Sequence, residues 1–380
     1  ARQRALLIIL LGDLNTQSSL PVMVEAVEAK DVAVRLAAVT ALGSLGSNEH
    51  VNILVRAAGD EDTAVAAAAV GALTKLGGED VDRAVRELLN DAATQKTAIQ
   101  LIGLRRIESA VDTLLELLDG PHQADVVAAL GETLALDQLD VLGDRLNSDS
   151  DELREAVQAA LHAACYRMPD RDATAAKLGE YLDKGKDAVP YVMEELRVLG
   201  GKKALEIVAA AANSDDDLLQ DYATRELGEW LDTSVAETLL DLAKKEGDSK
   251  YGIRAIRGYI RLARQFSMPD EEHAEICQTA LKIASRTPEK KLVLDALLRN
   301  SNLESLAVAV EAAQDAEVKQ QATRIALAIA EQIPGKGQAV AALLAQLEYE
   351  PMKIEIVKAV YGAGSKMKDV TEVLRKQVGG

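Results

Sequence analysis

Residues 31–46 read DVAVRLAAVTALGSLG, and residues 62–77 read DTAVAAAAVGALTKLG. The two copies start at Asp31 and Asp62, 31 residues apart, and agree at the opening Asp, at the Val three residues on and at the closing Leu-x-x-Leu-Gly. An opening Asp offers an acceptor to the orphan N–H groups of a first helical turn and sets a negative charge at the positive end of the helix dipole. Val34, Ala37, Ala38, Ala41 and Leu42 then recur at helical spacing and form one apolar stripe. Gly43, Gly46 and Gly77 read as helix ends, where a left-handed residue carries no Cβ penalty. A second amphipathic stretch follows each copy, Val51 to Ala58 and Val81 to Leu89.

Working outward, the frame D-x-x-V-[R/K] returns at Asp315, Val318 and Lys319. Looser copies begin near Asp91, Pro121, Asp151, Asp187, Asp216, Asp248, Pro288 and Pro351. A repeat of this length is the mark of a stacked architecture, because one short helical pair cannot bury its apolar face alone. The spacing predicts Asp-opened helices over 2–12, 31–43, 62–76, 92–104, 121–134, 150–165, 187–199, 216–229, 249–266, 288–299, 315–332 and 350–363. A partner helix lies between each, the last at 366–378, for about 24 helices and no strand. The organisation expected is one continuous body, with regular repeats over 1–165 and less regular ones over 166–380.

The pattern resembles the HEAT-repeat family, in particular its short bacterial form. The resemblance is carried by D-x-x-V-R-x-x-A-x-x-A-L-G-x-L-G at Asp31, Val34, Arg35, Ala38, Ala41, Leu42, Gly43, Leu45 and Gly46. It implies an all-α, right-handed α-solenoid of about twelve helical hairpins with a concave and a convex face. It implies further that the Asp and Arg brace adjacent repeats and that the inner face binds partners. Arg35 matches the bracing position and Ala66 does not. Within such repeat proteins two enzyme-linked readings compete with a scaffold: an accessory lyase for bilin chromophores, and a protein that handles damaged DNA. A spacer in a larger multidomain protein is a third.

Composition narrows these. The 380 residues carry 43 Lys and Arg against 61 Asp and Glu, a net charge of −18, which disfavours a phosphate backbone as partner. The acidity is uneven: residues 121–250 hold 28 acidic and 14 basic side chains, residues 251–380 hold 16 and 18. Two cysteines, Cys165 and Cys277, form no disulfide framework. The longest apolar run near the start, Ala5 to Leu11, is far short of the ~20 residues that span a bilayer, so membrane insertion is not expected. No secretory leader is visible, and the compartment is left open between cytoplasm and periplasm. Neither end looks like a polar capping repeat. The apolar Ala5, Leu6, Ile8, Ile9 and Leu10 lead to the expectation that the chain belongs to a longer polypeptide or that its ends pair with something.

No catalytic, cofactor or metal site is expected. His162 with Cys165, and His273 with Cys277, stand at helical spacing, but zinc takes three or four protein ligands and these pairs lie about four repeats apart. His50, His122, His162 and His273 fall in different repeats without the surroundings of a nucleophile. Gly335-Lys336-Gly337 lacks the length of a phosphate loop.

The one pointed feature is Arg254, Arg257, Arg261 and Arg264, which share a single stripe of about 80° on one helix. Four like charges in a row need acids opposite them. Glu226, Glu229 and Asp232 of the preceding repeat are the expected intramolecular partners, and the alternative is an acidic peptide, phosphate or carboxylate. Tyr259 on the same helix and the lone Trp230 complete the candidate partner-binding set. Trp230 either packs into the next repeat or anchors a partner. The function expected is a non-enzymatic protein-binding scaffold that buries a partner segment along the ridge of Asp-opened helices. The partner is a protein or peptide rather than nucleic acid, and the oligomeric state is open.

Overall fold

The computed structural model describes residues 2–14 and 17–347. Twenty-two α-helices in two alternating kinds make up these residues, with short 3₁₀ turns and no strand among them. In chain order, α1 (Arg2–Asp13) pairs with α2 (Leu20–Ala26), α3 (Val32–Leu45) with α4 (Val51–Ala58), and α5 (Thr63–Lys75) with α6 (Glu79–Glu87). Next come α7 (Gln95–Arg105) with α8 (Val111–Glu116), α9 (Gln123–Thr133) with α10 (Asp140–Gly143), and α11 (Asp151–Arg167) with α12 (Arg171–Glu180). The remainder are α13 (Ala188–Leu199) with α14 (Gly201–Ala212), α15 (Asp217–Gly228) with α16 (Ala236–Glu246), α17 (Lys250–Gln265) with α18 (Asp270–Ile283), α19 (Thr287–Leu297) with α20 (Leu303–Ala312), and α21 (Lys319–Glu331) with α22 (Gly337–Leu344). The two helices expected over 350–363 and 366–378 lie outside the described residues. The chain divides into two compact units, Ala1–Tyr191 and Val192–Gly380, with the boundary inside α13.

In the first unit each odd-numbered helix packs on the next, α1 on α3, α3 on α5, α5 on α7, α7 on α9 and α9 on α11. The shorter even-numbered helices close the other side, as α4 does against α5. Asp31 starts α3 by accepting from the N–H groups of Ala33 and Val34 at 3.0 and 3.2 Å. Asp62 starts α5 in the same way, from Ala64 and Val65 at 3.0 and 3.3 Å. The stripe then repeats in place. Val34, Ala38 and Leu42 of α3, and Val65, Ala69 and Leu73 of α5, are each no more than 2% exposed. A fully buried Leu or Val of this kind stabilises by roughly 1.5–3 kcal/mol through transfer alone.

The closing glycines work differently from the sequence expectation. Gly43 lies inside α3, Gly46 follows it in extended backbone, and neither is left-handed. For Gly43 the reason is proximity: a Cβ there would sit 2.7 Å from Cβ of Ala72, and one on Gly131 of α9 would sit 2.6 Å from the Ala160 carbonyl oxygen. Glycine at these points lets successive odd-numbered helices touch backbone to backbone.

The second unit continues the same packing, α15 on α17, α17 on α19 and α19 on α21, with α16 against α17, α18 against α20 and α20 against α22. Here the close approach is glycine on glycine, since a Cβ on Gly258 of α17 would lie 2.9 Å from Cα of Gly228 of α15.

Two kinds of basic side chain tie successive repeats. Arg35 forms a two-pronged ion pair with Asp60, in the turn before α5, and Lys290 of α19 reaches Asp315 and Glu317 before α21. The partner of the bracing arginine is thus Asp60, while Asp31 and Asp62 spend their carboxylates capping their own helices. A second set of arginines reaches back about one repeat onto helix ends. Arg105 donates to the Leu73 carbonyl of α5 at 2.6 Å, Arg167 to that of Leu134 at the end of α9, Arg261 to that of Gly228 at 2.7 Å and Arg299 to that of Gln265 at 3.3 Å. The last carbonyls of a helix have no partner within it, and a cation there also meets the negative end of the dipole.

Candidate partner-binding site

The arginine stripe sits on α17 within the second unit, flanked by α15 and α19. Asp216 caps α15 through the N–H groups of Leu218 and Leu219, and Ser249 caps α17 through that of Gly252. On α17 the buried face carries Ala255, Ile256, Tyr259, Ile260 and Ala263, which turns the arginines toward the edge of the core.

The four arginines do not share one fate. Arg254 donates to Asp221 Oδ1 at 2.8 Å and to the Thr224 hydroxyl at 3.2 Å, both on α15. Arg257 goes the other way, to Oε1 of Glu289 on α19, at 2.9 Å from Nε and 2.8 Å from Nη2. Arg261 holds the Gly228 and Trp230 carbonyls and reaches Gln265 Oε1 at 2.7 Å. Arg264 is exposed and makes no ion pair or hydrogen bond with the described residues. Three of the four are therefore paired within the unit, mostly by other groups than expected. Glu226 is taken by Arg197 at 2.5 Å, and Asp232 caps the turn at Ser234.

Burial alone would raise the Asp221 carboxyl, but hydrogen bonds from Arg254 and Lys250 outweigh it and hold the group below the ordinary carboxylate range. Burial pulls the Arg261 guanidinium down from its usual value, and the field of Glu229 only partly offsets this. Burial raises the Tyr259 phenol.

Trp230 is completely buried and Tyr259 is 5% exposed. Of the two roles open to Trp230, packing into the repeat is the one the structure shows; its ring has no surface to offer a partner, and its carbonyl anchors Arg261. Sequence reading missed Asp221, Glu289 and Arg225. The first two lie 33 residues before Arg254 and 32 after Arg257, one repeat length each way, and the period was the signal that could have found them.

Between α15, α17 and α19, Arg225 and the four arginines of the stripe line an open groove of about 550 Å³. Exposed Arg225, half-exposed Arg257 and exposed Arg264 face it, with Glu229 the acid at its edge and Ile260 and Leu292 on its floor. Arg225 is tied to Asp221 at 2.7 Å and lies over the Tyr222 ring.

His273 and Cys277 are buried in α18, where burial pushes the thiol up to about 12 and the imidazole down. No group of three metal-ligating side chains occurs among the described residues. No helix among them is long and apolar enough to cross a membrane.

Stacked helix pairs, several opened by an acceptor side chain and tied to a neighbour by a basic one, define an all-α repeat protein of the solenoid class. Residues 2–73 match the family model for HEAT repeats, as the resemblance read from Asp31 to Gly46 implies for that stretch, and helix pairs of the same kind continue through the described residues. No curated protein matches the chain. Among solved structures, the complex of CpcE and CpcF of phycocyanin lyase from Nostoc sp. is 17% identical with a TM-score of 0.25, covering 70% of this chain and 94% of that one. Human deoxyhypusine hydroxylase is 16% identical with a TM-score of 0.27, over 67% and 97%. Kap121p bound to RanGTP is 13% identical with a TM-score of 0.41, over 95% of this chain and 46% of that one. Likenesses this distant say nothing of what the chain binds.

Proposed function

We propose that the chain is a non-enzymatic protein-binding scaffold whose arginine-lined groove on α15, α17 and α19 docks an acidic peptide segment. The observation that carries the reading is the unpaired, exposed Arg264 beside Arg257 and Arg225 in one groove, in a chain of net charge −18. An arginine that braces nothing costs the fold nothing to keep free, and a planar guanidinium suits carboxylates in two-pronged geometry. Ile260 and Leu292 give the same groove an apolar floor, so a partner segment with alternating acidic and apolar side chains fits it best. The net acidity of the chain would repel an acidic partner at long range, which makes the local field of these three arginines decisive at contact.

Selection from a displayed random-peptide library tests this. The expected result is enrichment of Asp- and Glu-rich peptides that bind the purified chain, weaken with added salt and are lost by Arg225→Glu with Arg264→Glu. Enrichment of basic or uncharged peptides, or acidic ones indifferent to both substitutions, would count against it.

A further inference from the structure

His273 stands one turn into α18, where that helix packs against α17, α19 and α20. It is 2% exposed, and both ring nitrogens are shut off from solvent and make no hydrogen bond. A neutral imidazole carries one donor and one acceptor, and leaving both unanswered in the interior is costly. Beside the ring lies a cavity of about 310 Å³, where the end of α17, the start of α18 and the end of α19 meet. Ser267, Asp270, Arg299 and Asn300 make its lining polar.

Two hydrogen bonds tie the turns around this space. Asn300 donates to Asp270 Oδ1 at 2.8 Å and joins the end of α19 to the start of α18. Arg299 donates to the Gln265 carbonyl at 3.3 Å and joins it to the end of α17. Both bonds are exposed, so water competes for each partner, and this polar corner is the weak edge of an otherwise apolar stack. A roomy polar cavity is also where water enters when the corner opens.

Burial is the largest influence on the ring and disfavours its charged form. The backbones of Ala263 on α17 and Ala296 on α19 and the carboxylate of Asp270 favour the charged form, and the charge of Arg299 opposes it. No other charged side chain among the described residues lines the cavity. The α17 arginines line the groove described above, Glu289 and Lys290 of α19 are held by Arg257 and by Asp315 with Glu317, and Glu304 and Glu311 of α20 are exposed. The closed stack therefore keeps His273 neutral below its ordinary value of 6.5, while an opened one, with water around the ring, takes up a proton there. The closed form is fully favoured above that value and loses ground as pH falls below it. We propose that His273 is a proton-operated latch, closed at neutral pH and released in mild acid, which frees the start of α18 from the ends of α17 and α19. The latch does not rest on the peptide-docking reading.

Hydrogen exchange of the whole chain, read by mass spectrometry at pH 7.5 and pH 5.5 and corrected for the intrinsic rate at each pH, tests it. One proton taken up by an open state of ordinary imidazole value favours opening by at most about tenfold over this interval. The expected result is a loss of protection of about three- to tenfold at the end of α17, the start of α18 and the end of α19, with none in α3 and α5 and none in His273→Leu. Because His273→Leu could itself disturb the packing, the imidazole C–H resonances of the parent chain are titrated as well. That of His273, assigned by elimination with His50→Gln, His122→Gln and His162→Gln, is expected to titrate below 6.5. Unchanged protection in the parent chain overturns the proposal, and so does an equal loss in α3 and α5. So does an undiminished loss in His273→Leu, or a His273 resonance that titrates at or above 6.5.

Discussion

Arg35 holds Asp60 through two parallel hydrogen bonds, 2.7 Å from Nε to Oδ2 and 2.9 Å from Nη2 to Oδ1. The carboxylate is used twice, since Oδ1 also accepts from the N–H of Asp62 at 2.9 Å. Lys290 stands in the same relation to Asp315, again 25 residues ahead, and Asp315 accepts from the N–H of Glu317 at 2.9 Å. One device thus fixes both the turn that ends a repeat and its distance from the helix before.

This device predicts an acid-sensitive stability. The guanidinium of Arg35 and the N–H of Asp62 hold the Asp60 carboxyl below its ordinary value, and Lys290 and the N–H of Glu317 do the same for Asp315. A carboxyl depressed in the folded state stabilises fully above the ordinary carboxylate range, and the contribution is lost as pH falls through the depressed value. Urea midpoints of the parent chain and of Asp60→Asn with Asp315→Asn are expected to differ at neutral pH and to converge in acid. A gap that stays constant across pH contradicts the assignment.

Glycines in contact and glycines in the open make opposite predictions. Gly43→Ala sets a Cβ 2.7 Å from Cβ of Ala72, and a loss of about 1–3 kcal/mol is expected from overpacking. Gly71, inside α5, has nothing within 4 Å of an added Cβ, and Gly71→Ala is expected to stabilise by about 0.5–1 kcal/mol from helix propensity. Denaturant unfolding of both variants reads the signs directly.

The N-terminal caps are independent units. Asp31→Ala and Asp62→Ala each remove two hydrogen bonds to a first helical turn. Each is expected to cost about 1 kcal/mol, and the double variant about the sum. Strong non-additivity in unfolding measurements would show that the two helix starts are coupled.

Cys277 is expected to be inert as a thiol. It is buried, and burial pushes its titration up to about 12, so little thiolate exists at neutral pH. Labelling by a disulfide reagent at pH 8 is expected to follow unfolding, with a rate that rises with denaturant; rapid labelling of the native chain would contradict its placement.

What was legible in the sequence was what is local. Asp31, Val34, Ala38 and Leu42 act within one helix, and the stripe, the cap and the helix span all follow from neighbours three and four residues away. The repeat period extended this to α21 at Lys319–Glu331, where only the Asp315 frame survives. What was not legible lies across the stack. That Gly43 serves a neighbour 29 residues on, rather than a left-handed turn, depends on how closely α3 and α5 approach. The division of the arginine stripe depended on which acid stood one period away, and Glu226, the obvious choice by proximity in sequence, was already held by Arg197. Trp230 shows the same limit. Its size left interior packing and partner anchoring both open, and the packing of the second unit buries it completely.

The claim on which the functional reading rests is that one stripe of four arginines serves two purposes. An alanine scan of Arg254, Arg257, Arg261 and Arg264, with unfolding midpoint and acidic-peptide affinity measured on each variant, tests it most directly. The prediction is that Arg261→Ala and Arg254→Ala lower the midpoint, while Arg264→Ala leaves it unchanged and weakens the peptide at least tenfold. If Arg264→Ala binds as the parent chain does, or if all four variants lose stability alike, the stripe is a brace throughout and the groove docks no partner.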